Sequence, residues 1–402
     1  MDFLLEYLLL TEVRDPDIAR ILRDSSTSTI HPVFQQRRWD GLSDDGFIFC
    51  RPALVLASYL LTCPRGLHFF HAFLFGEHTI HRDRHGMTRT RFDPVYDTQR
   101  PLPPEEEKRV LAALEEISNL IRVRFADTGR DDGRCQPGDT VWTDRFQCIT
   151  SPLATRSTIS ISQRTLDRIQ GQHLSGPAPL RCWFSLAVTL VHEFGHAIWY
   201  AAAEPETEGI FANQDFCEMG YAVTSWIVHG RPEISQLRHN GEEVLALRHI
   251  PNLSMVEIYR ESGLFPLFRD LGPDNEMIGI VDDAWLKELF MGITSNKKFV
   301  ADNGEGLRPT VTYCQCEDCR VITDTGSYPT HSIDSVDSAD YATRPGCVAH
   351  AITRPDLDGG AASENIQWML SLSQEGVEAL RDPVFRTCVL ALREKYPFHN
   401  RD

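Results

Sequence analysis

Positive charge is scarce in this chain: 40 Lys and Arg face 57 Asp and Glu, a formal net charge of −17 over 402 residues. Such a field repels phosphate backbones and anionic lipid, which excludes nucleic-acid and membrane-surface partners. The N-terminus has no basic n-region and no small-residue cleavage site. Asp2 and Glu6 interrupt its apolar stretch MDFLLEYLLLTEV, which predicts an amphipathic first helix and no signal peptide. No run approaches the eighteen or so uncharged apolar residues of a membrane span. Glycine-rich phosphate loops, a G-x-S-x-G elbow, internal repeats and low-complexity segments are also missing. The 11 cysteines are an odd number scattered through the chain, which with no signal predicts reduced thiols in the cytoplasm.

What is present is a globular composition, 42% hydrophobic and 24% charged, enough for a large core. The most informative stretch is Arg181 to Ala202, RCWFSLAVTLVHEFGHAIWYAA, apolar nearly all round and therefore expected to be buried. Its second half carries His192, Glu193 and His196 in the pattern H-E-x-x-H. Residues i and i+4 share a helix face, so the two imidazoles can meet one metal ion, and Glu193 stands beside them as a general base. With 15 His and 26 Glu in 402 residues, chance gives about 0.04 such matches. Ser185 and Thr189 precede His192 on the same side and leave room there. Gly195 in mid-helix costs about 1 kcal/mol relative to Ala, and either close approach of another backbone or simple tolerance accounts for it.

A catalytic zinc takes three protein ligands and leaves a position for water. The metzincin continuation is excluded, because Trp199 stands where its Gly belongs and Ala202 where its third His belongs. A second helix is predicted over 213–229, with Asn213 as its cap, Gly230 past its end, Pro232 as a stop and Glu218 inside it. On His192, Glu193, His196 and Glu218, the stretch from Ser157 to Gly230 resembles the gluzincin branch of zinc metallopeptidases, in which a second helix donates a Glu ligand. The resemblance implies zinc held by His192, His196 and Glu218, with Glu193 taking a proton from the attacking water and cleavage of a peptide bond. Ala222 stands where thermolysin-like members carry an Asp that orients a ligand histidine. Asp215 is the alternative, either for that role or as the ligand itself; Glu204, Glu206 and Glu208 lie in EPETEG, which reads as a solvated loop. The same two-His-one-carboxylate set also suits Fe2+ and non-hydrolytic chemistry on a small molecule.

The expected architecture is α+β, a zincin-like two-lobed metalloprotease fold. An upper lobe would hold a small mixed sheet and the active-site helix, and a mainly helical lower lobe would complete it. Residues 1–102 form an N-terminal mixed region, 103–230 the catalytic core and 231–402 the helical lobe. In the first region RPALVLASYLL predicts a short buried element, and His68, His71, His78, His81 and His85 a surface or cleft-lining cluster. The core then predicts a helix in PEEEKRVLAALEEISNLI, a half-buried strand in IRVRFAD, a loop rich in Gly, Asp and Cys, and strands in VWTDRFQCI and STISIS. In the resembled family the strand nearest the cleft pairs with extended peptide, which points to Ser157–Ser162. The last region holds helical stretches EVLALRHI, SMVEIYRESGLF and DDAWLKELFMG. Its Cys314, Cys316 and Cys319 are either a reduced cysteine-rich loop or a second metal site completed by Cys347, His331 or His350. Tyr259, Tyr313, Tyr341, His229 and His239 are eligible oxyanion donors.

Overall fold

A computed structural model describes residues 13–82, 88–98, 100–129, 131–143, 153–171, 176–202, 208–212, 218–228, 231–237, 243–249, 277–295, 307, 311–313 and 321–322. The predicted first helix and 323–402 lie outside the described residues, as do Cys314, Cys316 and Cys319. The fold is mixed α+β with small sheets. One compact unit comprises Met1–Ile234, Glu243–Leu247 and Val281–Thr310.

That unit begins with α1 (Pro16–Thr27), capped by Asp15, whose side chain accepts from the amides of Asp17 and Ile18. β1 (Trp39–Asp40), α2 (Asp44–Thr62) and α3 (Pro64–Phe75) follow, then the hairpin β2 (His78–Arg82) and β3 (Thr88–Phe92) and helix α4 (Pro104–Ser118). RPALVLASYLL is thus part of a helix of 19 residues, longer than the short element its apolar run suggests. By length and composition α2 is the one helix among the described residues able to cross a membrane, though 78% of its apolar window is buried in protein.

The next segment supplies β4 (Ile121–Ala126), β5 (Gly133–Trp142), β6 (Leu153–Ser162), α5 (Gln163–Gly171), α6 (Ala178–Ala202), β7 (Ile210–Phe211) and α7 (Met219–Val228). The sheet order is β1-β4-β6-β5, with β4 and β6 parallel and β5 antiparallel at the edge. Ser157–Ser162 is therefore central, paired on both sides, and not the edge expected for it; its Ile159 and Ile161 are buried, and so are Ser157, Ser160 and Ser162, as suits an interior strand. The edge is β5, whose first part falls in the stretch predicted as a loop. Gly133, Pro137, Gly138 and Asp139 are poor strand formers, and pairing with β6 overrides them. Asp132 O accepts from Ser162 N, so the backbone groups of 133, 135 and 137 turn to the open edge. Pro137 thus costs no ladder bond. Between Pro137 and Thr140 the register shifts by one residue, a bulge.

α6 lies across the sheet, and 19 of its 25 residues are buried, so the apolar reading of both its faces holds. On the side away from the sheet Trp183 Nε1 donates to Phe49 O in α2 at 2.8 Å. Near its start the buried Arg181 guanidinium meets the carboxylate of Asp283, Nε to Oδ1 at 2.8 Å, and the carbonyl of Glu243.

The C-terminal elements are β8 (Arg231–Leu237), β9 (Glu243–His249), β10 (Met277–Val281), α8 (Asp283–Thr294), β11 (Val311–Tyr313) and β12 (Val321–Ile322). Among the described residues of 231–402 strands prevail over helix, against the mainly helical expectation. EVLALRHI is strand β9: Val244 through Leu247 are all buried, and such a run carries no period that separates an interior strand from a helix. DDAWLKELFMG is helical as predicted, with Asp282 capping α8. The second unit comprises Ser235–Glu242, Arg248–Ile280 and Val311–Asp402, and within it Val321 and Ile322 pair antiparallel with Leu237 and Gln236.

Candidate metal centre

On α6 the i, i+4 spacing brings His192 and His196 to one side, their Nε2 atoms 3.4 Å apart. Glu218 Oε1 lies 3.3 Å from His192 Nε2 and 2.5 Å from His196 Nε2. Zinc–ligand bonds of 2.0–2.1 Å at tetrahedral angles set donor atoms about 3.3–3.4 Å apart. Two edges of the triangle match that span, and the third is a direct hydrogen bond. All three ligand atoms lie within 4.8 Å of one another. Two imidazoles and a carboxylate are thus a donor set suited to zinc, and also to iron.

Glu218 reaches this point differently from expectation. It is not inside the second helix but caps it: α7 starts at Met219, and Glu218 Oε2 accepts from the amide of Tyr221 in its first turn. One carboxylate oxygen holds the helix and the other faces the histidines. Asn213 and Asp215 lie outside the described residues.

Two glycines let the helices close around the site. A Cβ on Gly195 would stand 2.9 Å from Met219 O, so close approach of another backbone is the reason for glycine there. A Cβ on Gly220 would stand 2.6 Å from the His192 ring. The ring of Tyr221 meets His192 edge-on, centroids 4.7 Å apart.

Glu193 is 4% exposed and packs against β5, its Oε1 4.0 Å from His192 Nε2. Gly133 leaves the space it fills, since a Cβ there would stand 2.6 Å from Glu193 Oε1 and 2.8 Å from Thr189 Cγ2. The room expected beside Thr189 is therefore taken by the edge strand. Burial raises the Glu193 pKa, and the charge of Glu218 adds to this. His192, His196 and the amide of Cys135 oppose it. The result is a carboxylate that is more basic than usual, as a proton acceptor needs to be.

Burial works against charge on His196, but carboxylates on both ring nitrogens outweigh it and push its pKa up to about 10. Burial would likewise raise Glu218; hydrogen bonds and charge from His192 and His196 hold it well below the usual carboxylate range instead. The second carboxylate on His196 is Glu208, whose Oε1 lies 2.5 Å from Nδ1. This residue, assigned by the sequence to a solvated loop, has a side chain only 16% exposed. The signal that could have found it is chemical: a metal-binding imidazole needs an acceptor for its other nitrogen, and every acid between the two helices was eligible. Glu204 and Glu206 lie outside the described residues.

Tyr200, four residues after His196, is a further neighbour the sequence did not single out. Its pKa is raised by burial first and then by its surroundings at Cys135 and the carboxylates of Glu208, Glu193 and Glu218. Tyr259, Tyr341, His229 and His239 lie outside the described residues, and Tyr313 stands on β11.

The other histidine cluster is divided: His68 and His71 are buried, His78 on β2 is exposed as expected, and His85 lies outside the described residues. On α3 His68 Nε2 lies 2.7 Å from Arg100 O and His71 Nε2 3.0 Å from Glu106 Oε2. His78 Nε2 is 2.8 Å from Phe73 O. Each Nε2 is matched to its own protein partner, and the three do not converge. Comparison of the whole chain with known proteins finds no matching family model, no similar curated protein and no similar solved structure.

Proposed function

We propose that the protein is a zinc-dependent hydrolase, a gluzincin-like metallopeptidase with a zincin-like two-lobed fold, acting in the cytoplasm. The observation that carries this is the convergence of His192 Nε2, His196 Nε2 and Glu218 Oε1, with the buried carboxylate of Glu193 beside them. Zinc held by those three residues would supply Lewis acidity, lowering the pKa of a bound water to about 7 and polarising a carbonyl. Glu193 takes the proton of the attacking water and passes it to the leaving amine. Its raised basicity comes from burial against β5. Tyr200 keeps its hydroxyl proton at neutral pH and is the candidate donor to the developing oxyanion.

A peptide substrate is favoured by the edge of β5, where Gly133 turns its backbone groups outward next to Glu193, whose carboxylate takes the amide of Cys135. The net charge of −17 makes neutral or basic peptides better partners than acidic ones. Among the described residues Cys50, Cys63 and Cys135 form no disulfide, in keeping with a reducing compartment.

The alternative is Fe2+ bound by the same triad. Zinc is preferred because a buried base beside the triad has a part in hydrolysis and none in a facial-triad oxidation. Metal analysis of anaerobically purified protein, with turnover of a peptide library, tests the choice. Stoichiometric zinc and oxygen-independent cleavage are expected; stoichiometric iron with oxygen-dependent turnover would remove the peptidase reading.

A further inference from the structure

We propose that Glu208 is the positioning residue of this metal centre, acting on two of its three ligands at once. It acts on His196 through the imidazole and on Glu218 through the first turn of α7. The proposal rests on the zinc reading above.

The two carboxylate oxygens of Glu208 serve different elements. Oε1 lies 2.5 Å from His196 Nδ1, so Nδ1 carries the proton that Glu208 accepts. With Nδ1 held protonated, Nε2 is the nitrogen that would give up its proton and turn a lone pair to the side where His192 and Glu218 stand. Oε2 accepts from the amide of Met219 at 2.6 Å, the residue directly after Glu218. An orphan amide of the first turn of α7 is thereby satisfied, and the backbone that carries the third ligand is tied to the imidazole of the second.

Glu208 is itself held from the far side. Gly209 sits so close to β3 that a Cβ there would stand 2.8 Å from Thr90 O. β7 then pairs parallel with β3 through Arg91–Ile210 and Phe92–Phe211, and Ala212 N donates to Phe92 O at 2.9 Å. Strand pairing therefore fixes the Glu208 backbone without help from either metal helix. A side chain 16% exposed needs both contacts, because an unpaired buried carboxylate is costly.

The experiment compares full-length wild type with Glu208→Gln and Glu208→Ala. Zinc affinity is measured by chelator competition and ligand geometry by the visible spectrum of the cobalt(II) form. Thermal unfolding of the metal-free proteins serves as the folding control. Glutamine keeps the size of the side chain but offers one acceptor and one N–H2 group to two donors, so one contact fails. The zinc Kd is expected to rise 10- to 100-fold in Glu208→Gln and further in Glu208→Ala, with a shifted cobalt spectrum in both. Wild-type zinc affinity and an unchanged cobalt spectrum in Glu208→Gln would overturn the proposal and leave Glu208 a structural carboxylate. A wild-type protein that takes up neither metal would overturn the zinc reading, and this proposal with it.

Discussion

His68 and His71 on α3, and His192 and His196 on α6, are two pairs of histidines about one helical turn apart on apolar helices. The first pair is buried, and the side chains of the second are 19% and 17% exposed. Seclusion and helical spacing therefore do not separate a metal site from a core. In the α3 pair each Nε2 is matched to a separate acceptor, a carbonyl at 2.7 Å and a carboxylate at 3.0 Å. In the α6 pair both Nε2 atoms face each other and share one carboxylate oxygen. Two imidazole nitrogens aimed at a common point leave each other poorly satisfied, and a cation between them resolves that arrangement.

The widest test of the contrast is deletion. His192→Ala or His196→Ala should weaken zinc binding by well over the 10- to 100-fold expected for an outer partner, whereas His68→Ala and His71→Ala should leave zinc stoichiometry at the wild-type value. Metal analysis after dialysis against a weak chelator reads both arms. Retention of zinc in His196→Ala, or its loss in His71→Ala, would erase the distinction.

Next comes the base. Glu193→Gln should keep zinc affinity near that of the wild type while kcat falls by about 10²–10⁴. Hydrolysis at the wild-type rate would remove Glu193 from the reaction.

These expectations also mark how far the sequence could be read. The H-E-x-x-H helix, its burial, the half-buried strand β4 and helix α4 were legible because each carries a clean hydrophobic period or a chemical motif. Glu218 was legible as a ligand candidate by its distance from His196 but not as a cap, because Asn213 offered the more usual capping chemistry. β5 was illegible: Gly133, Pro137, Gly138 and Asp139 are turn residues by propensity, and only pairing with β6 makes them strand. Glu208 was illegible for a related reason. Nothing local in EPETEG distinguishes it; the parallel pairing of β7 with β3, more than a hundred residues apart in the chain, carries it to the imidazole.

A third test separates packing from ligation on α6. Gly195→Ala would place a methyl 2.9 Å from Met219 O, a backbone atom that cannot swing aside. Overpacking of this kind costs about 1–3 kcal/mol. It should lower the denaturant midpoint and, by displacing the start of α7 and with it Glu218, weaken zinc binding as well. An unchanged zinc Kd in a destabilised variant would mean that Glu218 tolerates movement of α7.

The metal-free state gives a pH signature at His196 and Glu218. His196 has its folded pKa raised to about 10 from 6.5, so its stabilising contribution is complete below about pH 6.5 and is lost as pH rises through 10. Glu218 is depressed from 4.5, so its contribution is present above that value and fades as pH falls below it. Metal-free protein should therefore lose unfolding free energy between pH 6.5 and 10, and zinc uptake in that window should release a proton from His196. Calorimetry in buffers of different ionisation enthalpy measures the release; zinc uptake at pH 7.5 with no proton release would contradict the charged state of the cluster.

The smallest effect belongs to α3. His71→Ala removes a hydrogen bond to Glu106, whose side chain is 26% exposed and lies 3.6 Å from Arg109 Nη1. Glu106 therefore keeps an ionic partner and access to water when His71 is lost, and only the buried imidazole leaves a gap. The cost should be about 1–3 kcal/mol, seen as a lower unfolding midpoint, with the zinc Kd and cobalt spectrum unchanged. If the spectrum moved, the two helices would be coupled through α7, which α3 touches where Trp226 Nε1 donates to Arg65 O at 2.9 Å. In that event the core pair would serve the metal pair by placing α7, and the contrast between them would be one of distance from the ion rather than of kind.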